Sequence, residues 1–262
     1  MNFKSFLRGM APLAAIAMAA AASGGCNKMH VSIDGEEGKK LADLDLSGEM
    51  PSKVVLAGSD TVQITQGDKL AITVDGDPDA AGQMRFTLTD GTLAILRMNG
   101  KSSNDRTVTV NVTMPAPRKL TIAGSGKIVS SALARESARV TIAGSGSVET
   151  DGVATDELKV DIAGSGSYRA TGTAKSLKLT LAGSGDARLD ALKVEDAKVD
   201  IAGSGSAAFA SDGTVKAKIM GSGEVRVIGR ATCKVTALGS GRLVCEPADS
   251  AGAAPAGDRP HG

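Results

Sequence analysis

The residues of this 262-residue chain that could do covalent or proton chemistry are few and widely scattered. Its two histidines, His30 and His261, stand near opposite ends, which leaves a metal cluster, a Ser-His-Asp triad or a histidine acid–base pair without material. Cys233 and Cys245 lie 12 positions apart, with no Cys-x-x-Cys motif and no histidine beside them. In an exported chain such a pair is expected to form a disulfide or to stay as two buried thiols. Carboxylates offer one constellation: Glu157 and Asp161 flank Lys159, and Asp196 and Asp200 flank Lys198. Clustered acids can cut a polysaccharide, but a lysine between them favours two ionised carboxylates over the one raised acid that glycosidic cleavage needs. No catalytic, cofactor-binding or metal-ligating residue is assigned, no cofactor is expected, and the chain is expected not to be an enzyme.

The cations are arranged differently. Lys119, Arg139, Lys159, Lys178, Lys198, Lys216 and Lys234 follow one another at intervals of 20, 20, 19, 20, 18 and 18. Like charges at near-constant spacing point to one aligned row, suited to docking an anionic polymer such as envelope polysaccharide, or to keeping a flat sheet soluble and unpaired at its edges. No aromatic residues accompany the row, so base stacking is unavailable and nucleic acid is not an expected partner.

Those intervals are the period of an internal repeat that must position the row. A Gly-Ser-Gly triplet begins five residues after each cation, at Gly124, Gly144, Gly164, Gly183, Gly203, Gly221 and Gly239, with a degenerate copy, LAGSD, around Gly58. The residues two and four before each triplet are apolar, as in Ile162 and Val160, while those between are polar. That period of two is a strand with one buried face, and the alternation resumes after the triplet in a column that includes Ile128, Val148, Tyr168 and Val225. A unit of about 20 residues cannot bury its inner face alone, so the units must stack. The expected fold is all-β, a single-stranded parallel β-helix or solenoid with the triplets as tight corners. A narrow coil filled by Ile, Val, Leu and Ala also accounts for a composition with four Phe, one Tyr and no Trp.

Around the repeats the chain divides into further segments. Residues 1–26 have a basic start at Lys4 and Arg8 and an alanine-rich apolar run too short to span a bilayer, which reads as an export signal. Cleavage is expected either near Ala20, Ala21 and Ala22 or before Cys26, whose SGGC context suits lipid attachment and a membrane anchor. Residues 27–50 read as a linker and lead-in strand, 51–246 as the β-helix, and 247–262 as a low-complexity disordered tail. Within the β-helix, 51–118 reads as wider, irregular first rungs and 119–246 as the regular repeats. Thirty basic against 29 acidic residues give a net charge of +1, so polyanion binding must come from local arrangement.

The series LTIAGSGKI, VTIAGSGSV, VDIAGSGSY, LTLAGSGDA and VDIAGSGSA, preceded by VNVTMPAPRKL and by SDTVQITQGDKLAITVDGD, resembles the head GIN domain family of autotransporter adhesins from about Leu44 to Leu243. The resemblance implies a right-handed β-helix of the cell envelope, adhesin-like, with no catalytic residues to carry over. The sequence shows no coiled-coil stalk and no membrane strands ending in aromatics, so self-transport to the surface is not expected. The expected role is a non-enzymatic binding module, exported to the periplasm or lipid-anchored at the outer membrane, with the cell surface left open. A structural, self-associating solenoid is the second reading, and a polysaccharide-cleaving enzyme the third.

Overall fold

The structure is a computed structural model that describes residues 32–33, 36–98 and 107–247. The export segment, Cys26, His30 and the tail with His261 lie outside the described residues. A small antiparallel pair, β1 (Ser32–Ile33) and β2 (Glu36–Glu37), comes first. The solenoid opens with β3 (Lys53–Gly58) and β4 (Thr61–Gln66), followed by β5 (Ala71–Asp75), the short helix α1 (Pro78–Gly82), β6 (Met84–Thr89), β7 (Thr92–Arg97) and β8 (Thr109–Met114). The regular part runs through β9 (Lys119–Gly124), β10 (Lys127–Ser130), β11 (Ser137–Gly144), β12 (Ser147–Gly164), β13 (Ser167–Gly183) and β14 (Asp186–Gly203). It closes with β15 (Ser206–Ser211), β16 (Thr214–Gly221), β17 (Glu224–Ile228), β18 (Thr232–Leu238) and β19 (Arg242–Glu246).

Each triplet turns the chain from one parallel wall to the other, so the fold is the β-solenoid that the repeat demanded. On the first wall Gly58, Gly124, Gly144, Gly164, Gly183, Gly203 and Gly221 stack in strict register. Gly164 shows why the corner needs glycine: its φ is +117°, and a Cβ there would lie 2.5 Å from the carbonyl oxygen of Gly144 on the neighbouring rung. Inside the coil, Leu120, Val140, Val160, Leu179 and Val199 form one fully buried column and Ile122, Ile142, Ile162, Leu181 and Ile201 the next. The opposite wall offsets sizes between columns. Tyr168 stands in line with Ala187 and Ala207, while Leu189 and Phe209 fill the column beside those alanines, so large side chains lie next to small ones. The Tyr168 hydroxyl meets the Thr150 hydroxyl at 2.8 Å, which satisfies both polar groups inside the core.

The stretch 51–118 departs from the expectation of wider first rungs. Its strands are short, and the rungs stack out of chain order: β3 and β4 are sandwiched between β7 and β8 on one side and β9 and β10 on the other. Beyond that last parallel layer, β5 pairs antiparallel with β8 and β6 antiparallel with β7. Antiparallel strands, α1 and the partly buried Leu41, Leu44 and Leu46 thus cover this end of the coil, where an open parallel edge would invite further pairing. At the other end β18 and β19 form the last rung. Val235 and Ala237 continue inward columns that are buried at Ala217 and Ile219, yet Val235 is 50% exposed and Leu238 59%. Cys233 and Cys245 are bonded across this rung, with their Cα atoms 6.8 Å apart.

Candidate functional site

The first wall fixes the position of the basic residues. Strand alternation sends residues two and four before the triplet inward, so the residue five before it must point out. Pairwise register then joins Lys119, Arg139, Lys159, Lys178, Lys198, Lys216 and Lys234 into one unbroken outer column. Lys53 extends it, paired with Lys119 across β3 and β9. Sequence analysis missed Lys53 although the signal was present, since it lies five residues before the glycine of the degenerate LAGSD corner. With parallel strands ~4.8 Å apart, the eight cations span about 34 Å.

Two unit charges ~5 Å apart repel by about 0.8 kcal/mol in water, less with salt, so the column carries a standing cost that an anion would relieve. Among the described residues Lys198 alone of the eight is ion-paired, to Asp200 at 3.6 Å. Several cations elsewhere are matched across rungs, among them Lys127 with Glu149 at 2.9 Å, Lys175 with Asp156 at 2.8 Å, and Arg242 with Glu224 at 2.7 Å. The contrast lies between neighbouring surfaces of one solenoid, not in its overall charge.

The column becomes concave at its head. There β12 runs without a break from Ser147 to Gly164, whereas the chain reaches β9 and β11 through turns at 115–118 and 131–136. A cavity of about 400 Å³ opens beside these strand starts, lined by Lys53, Arg118, Lys119, Arg139 and Lys159 together with Glu157 and small residues. The backbone is held firmly: the Arg118 and Lys119 amides both donate to the Ser52 carbonyl, at 2.7 and 3.2 Å, and the Arg139 amide donates to the Arg118 carbonyl at 2.9 Å. Burial pushes the Lys119 ammonium below the ordinary lysine range, and Arg139 and Lys53 on the flanking rungs push it further down, only partly opposed by Asp161.

The carboxylates noted in the sequence are aligned but not enclosed. Glu157 and Asp196 stand in one column two rungs apart with Ser176 between them, and Asp161 and Asp200 likewise with Thr180 between. Glu157 and Asp196 are exposed, and the Asp196 carboxylate accepts the Thr214 amide at 3.0 Å. No group of three or more His, Cys, Asp or Glu among the described residues is placed to hold a metal ion.

Residues 50–231 match the family described as "Putative auto-transporter adhesin, head GIN domain". The chain belongs to this family. Solved structures of similar fold include a protein described as a putative adhesin from Bacteroides fragilis, 17% identical with a TM-score of 0.67, covering 76% of this chain and 93% of that one. A protein described as a putative lipid binding protein from Parabacteroides distasonis is 20% identical with a TM-score of 0.60, covering 75% and 92%. A third, described as a putative adhesin from Parabacteroides merdae, is 18% identical with a TM-score of 0.57 over 76% and 92%. At these identities the likeness is one of fold. No curated protein matches the chain. Among the described residues, no helix of this head GIN domain protein is long and apolar enough to cross a membrane.

Proposed function

We propose that this head GIN domain chain is an exported, non-enzymatic, adhesin-like protein of the cell envelope that holds an anionic polysaccharide along its basic column. The observation that carries the reading is the register of Lys53, Lys119, Arg139, Lys159, Lys178, Lys198, Lys216 and Lys234, eight cations in line with one ion pair among them. A rigid wall holds these charges in place before any ligand arrives, which lowers the ordering cost of binding. The family description and the relatives described as adhesins support an envelope role. Attachment of lipid at Cys26 would hold the protein at the outer membrane. A clickable fatty acid should then label the wild type and not Cys26→Ala, and an unlabelled wild type removes the anchor.

The test of the main reading is retention on an immobilised anionic polysaccharide, alginate or heparin, across a salt series. Retention should fall steeply with salt, and replacing Lys159, Lys178 and Lys198 by glutamine should flatten that dependence by roughly a third, because each neutralised contact contributes a similar increment. The triple variant should melt no lower than the wild type, since Lys198 is exposed, Lys159 and Lys178 are half-buried, and removing like charges relieves repulsion along the column. Equal retention of both proteins, or none by either, defeats the reading.

A second reading, self-association, is favoured by the open last rung with its exposed Val235 and Leu238. The opposite end is closed by antiparallel β5 and β6, so copies would meet through their last rungs across a two-fold axis and form a pair, not a filament. Sedimentation velocity decides this. A dimer that Val235→Lys with Leu238→Lys converts to monomer supports it, and a wild-type monomer at high concentration excludes it.

A further inference from the structure

We infer that the cavity at the head of the basic column is a discrete site for a phosphate monoester on a sugar-sized body, distinct from diffuse contact along the rest of the column. This deepens the polyanion reading and rests on its premise that the first wall is an anion-binding face. Three observations separate the head from the rungs below it.

The first is charge. Lys53, Arg118, Lys119, Arg139 and Lys159 line the cavity with Glu157, and Asp161 is the one further carboxylate that acts on Lys119, which leaves five cations against two acids. Among the described residues none of these five cations has an ion pair, whereas Lys198 further along is matched by Asp200. The outward residues two positions after the column cations are neutral on the first three rungs, Val55, Thr121 and Thr141, while Asp161 follows Lys159 at the edge of the cavity and Asp200 follows Lys198 further down. An excess of several positive charges in one concavity suits a dianion with three acceptor oxygens better than a carboxylate with one charge and two.

The second is donor geometry. Arg139, the one arginine of the column, and Arg118, next to Lys119 in the chain, bring planar guanidinium groups to the cavity that can each grip two phosphate oxygens. The third is size. About 400 Å³ is far larger than a bare ion needs and falls in the range of small-molecule sites, room for a phosphate together with an attached sugar ring or the first part of a lipid headgroup. Lys119, half-buried between Lys53 and Arg139, sits where repulsion among the cations is greatest and where a bound dianion would relieve most of it.

Isothermal titration of the full chain with glucose 6-phosphate, against glucose in sodium chloride of equal ionic strength, tests the site. Saturable binding of one equivalent is expected. Arg139→Gln and, separately, the exposed Arg118→Gln should weaken it at least tenfold, while Lys216→Gln, in the same column but away from the cavity, should leave it within twofold. A parallel arm with phosphatidylcholine vesicles containing phosphatidic acid assigns the source: co-sedimentation lost in the same two arginine variants places the phosphate on a lipid, and binding of the sugar phosphate alone places it on a glycan or free metabolite. Absence of saturable binding in both arms overturns the site, as does equal weakening by Lys216→Gln. The polyanion reading fails separately. A site that binds glucose 6-phosphate while the protein is not retained on alginate leaves the pocket standing and removes the extended column, and retention weakened alike by Arg139→Gln and Lys216→Gln with no sugar-phosphate binding does the reverse.

Discussion

Asp60 and Arg97 form a buried ion pair beside the degenerate corner at Gly58. Arg97 closes β7 and Val108 precedes β8, which puts the two residues at successive strands of one rung. The Asp60 carboxylate draws the two together, accepting Arg97 Nε at 3.0 Å, a second guanidinium nitrogen of the same residue, and the Val108 amide at 3.0 Å. Side-chain exposures of 1% for Asp60 and 13% for Arg97 leave water little part in this arrangement. Asp60→Ala takes the buried carboxylate away from the guanidinium and the amide together, and chemical denaturation should show a loss of about 3–5 kcal/mol. Asp60→Asn keeps the shape and an acceptor and should lose less. A loss below about 1 kcal/mol for the alanine variant would mean that β7 and β8 keep their places without the clamp.

Corner glycines and surface glycines should respond in opposite directions to one added methyl. Gly164→Ala forces a Cβ against the Gly144 carbonyl at a positive φ, and the stacked backbones have no side chain to move aside, so a cost of about 1–3 kcal/mol is expected. Gly82, at the end of α1, has nothing within 4 Å of its would-be Cβ. Gly82→Ala should be neutral or stabilising by up to about 1 kcal/mol. Thermal melts of the two variants provide the comparison, and equal behaviour would contradict the close stacking of corners.

Which parts were legible in the sequence follows from what a periodic pattern can encode. Alternation placed Val160 and Ile162 inside and Lys159 outside, and the fixed triplet spacing put Lys159 beside Lys178, because one period specifies both facing and register. Alternation looks the same in a parallel rung and in an antiparallel cap, so nothing local distinguished β5 and β6 from the strands they cover. The insertion of β3 between β7 and β9 is a long-range pairing with no local signature. Lys53 escaped notice for a chemical reason, since Asp60 replaces the second glycine of its triplet in order to bind Arg97. The cavity depends on how the turns at 115–118 and 131–136 bend, and Arg118, one residue outside the column, becomes part of the site only through that bend.

Tyr168 is the one tyrosine of the chain and is wholly enclosed, its hydroxyl paired with that of Thr150. Burial drives its phenol well above the ordinary tyrosine range. Tyr168→Phe removes one partner and leaves the Thr150 hydroxyl unsatisfied in an apolar interior, so a loss of about 1–3 kcal/mol is expected. Adding Thr150→Val, which removes the stranded group, should recover part of it. An ultraviolet titration should show no phenolate formation until the protein unfolds, and a phenol that ionises in the native state near pH 10 would contradict its burial.

The strain in the basic column should be visible in the pH dependence of stability. Lys119 faces Lys53 from β3, Arg139 from β11 and Asp161 from β12, with Arg118 beside it in the chain, and its folded-state pKa lies below the unfolded value of 10.5. A lysine depressed in this way is less willing to hold its proton when folded. Between the folded and unfolded values the unfolded chain therefore binds more protons, and stability rises with pH across that window. Below it the charged ammonium imposes a constant penalty, which Lys119→Gln removes. The variant should thus melt higher than the wild type at neutral pH and low salt, and the difference should shrink as pH climbs through the window just below 10.5. Added salt at neutral pH should shrink it as well, because the flanking cations act partly through solvent. Paired melts from pH 7 to 11 read the effect directly: a variant that melts lower than the wild type at neutral pH, or a gap that widens as the lysines lose their charge, would show that Lys119 is held by favourable contacts and that the column is not in electrostatic tension.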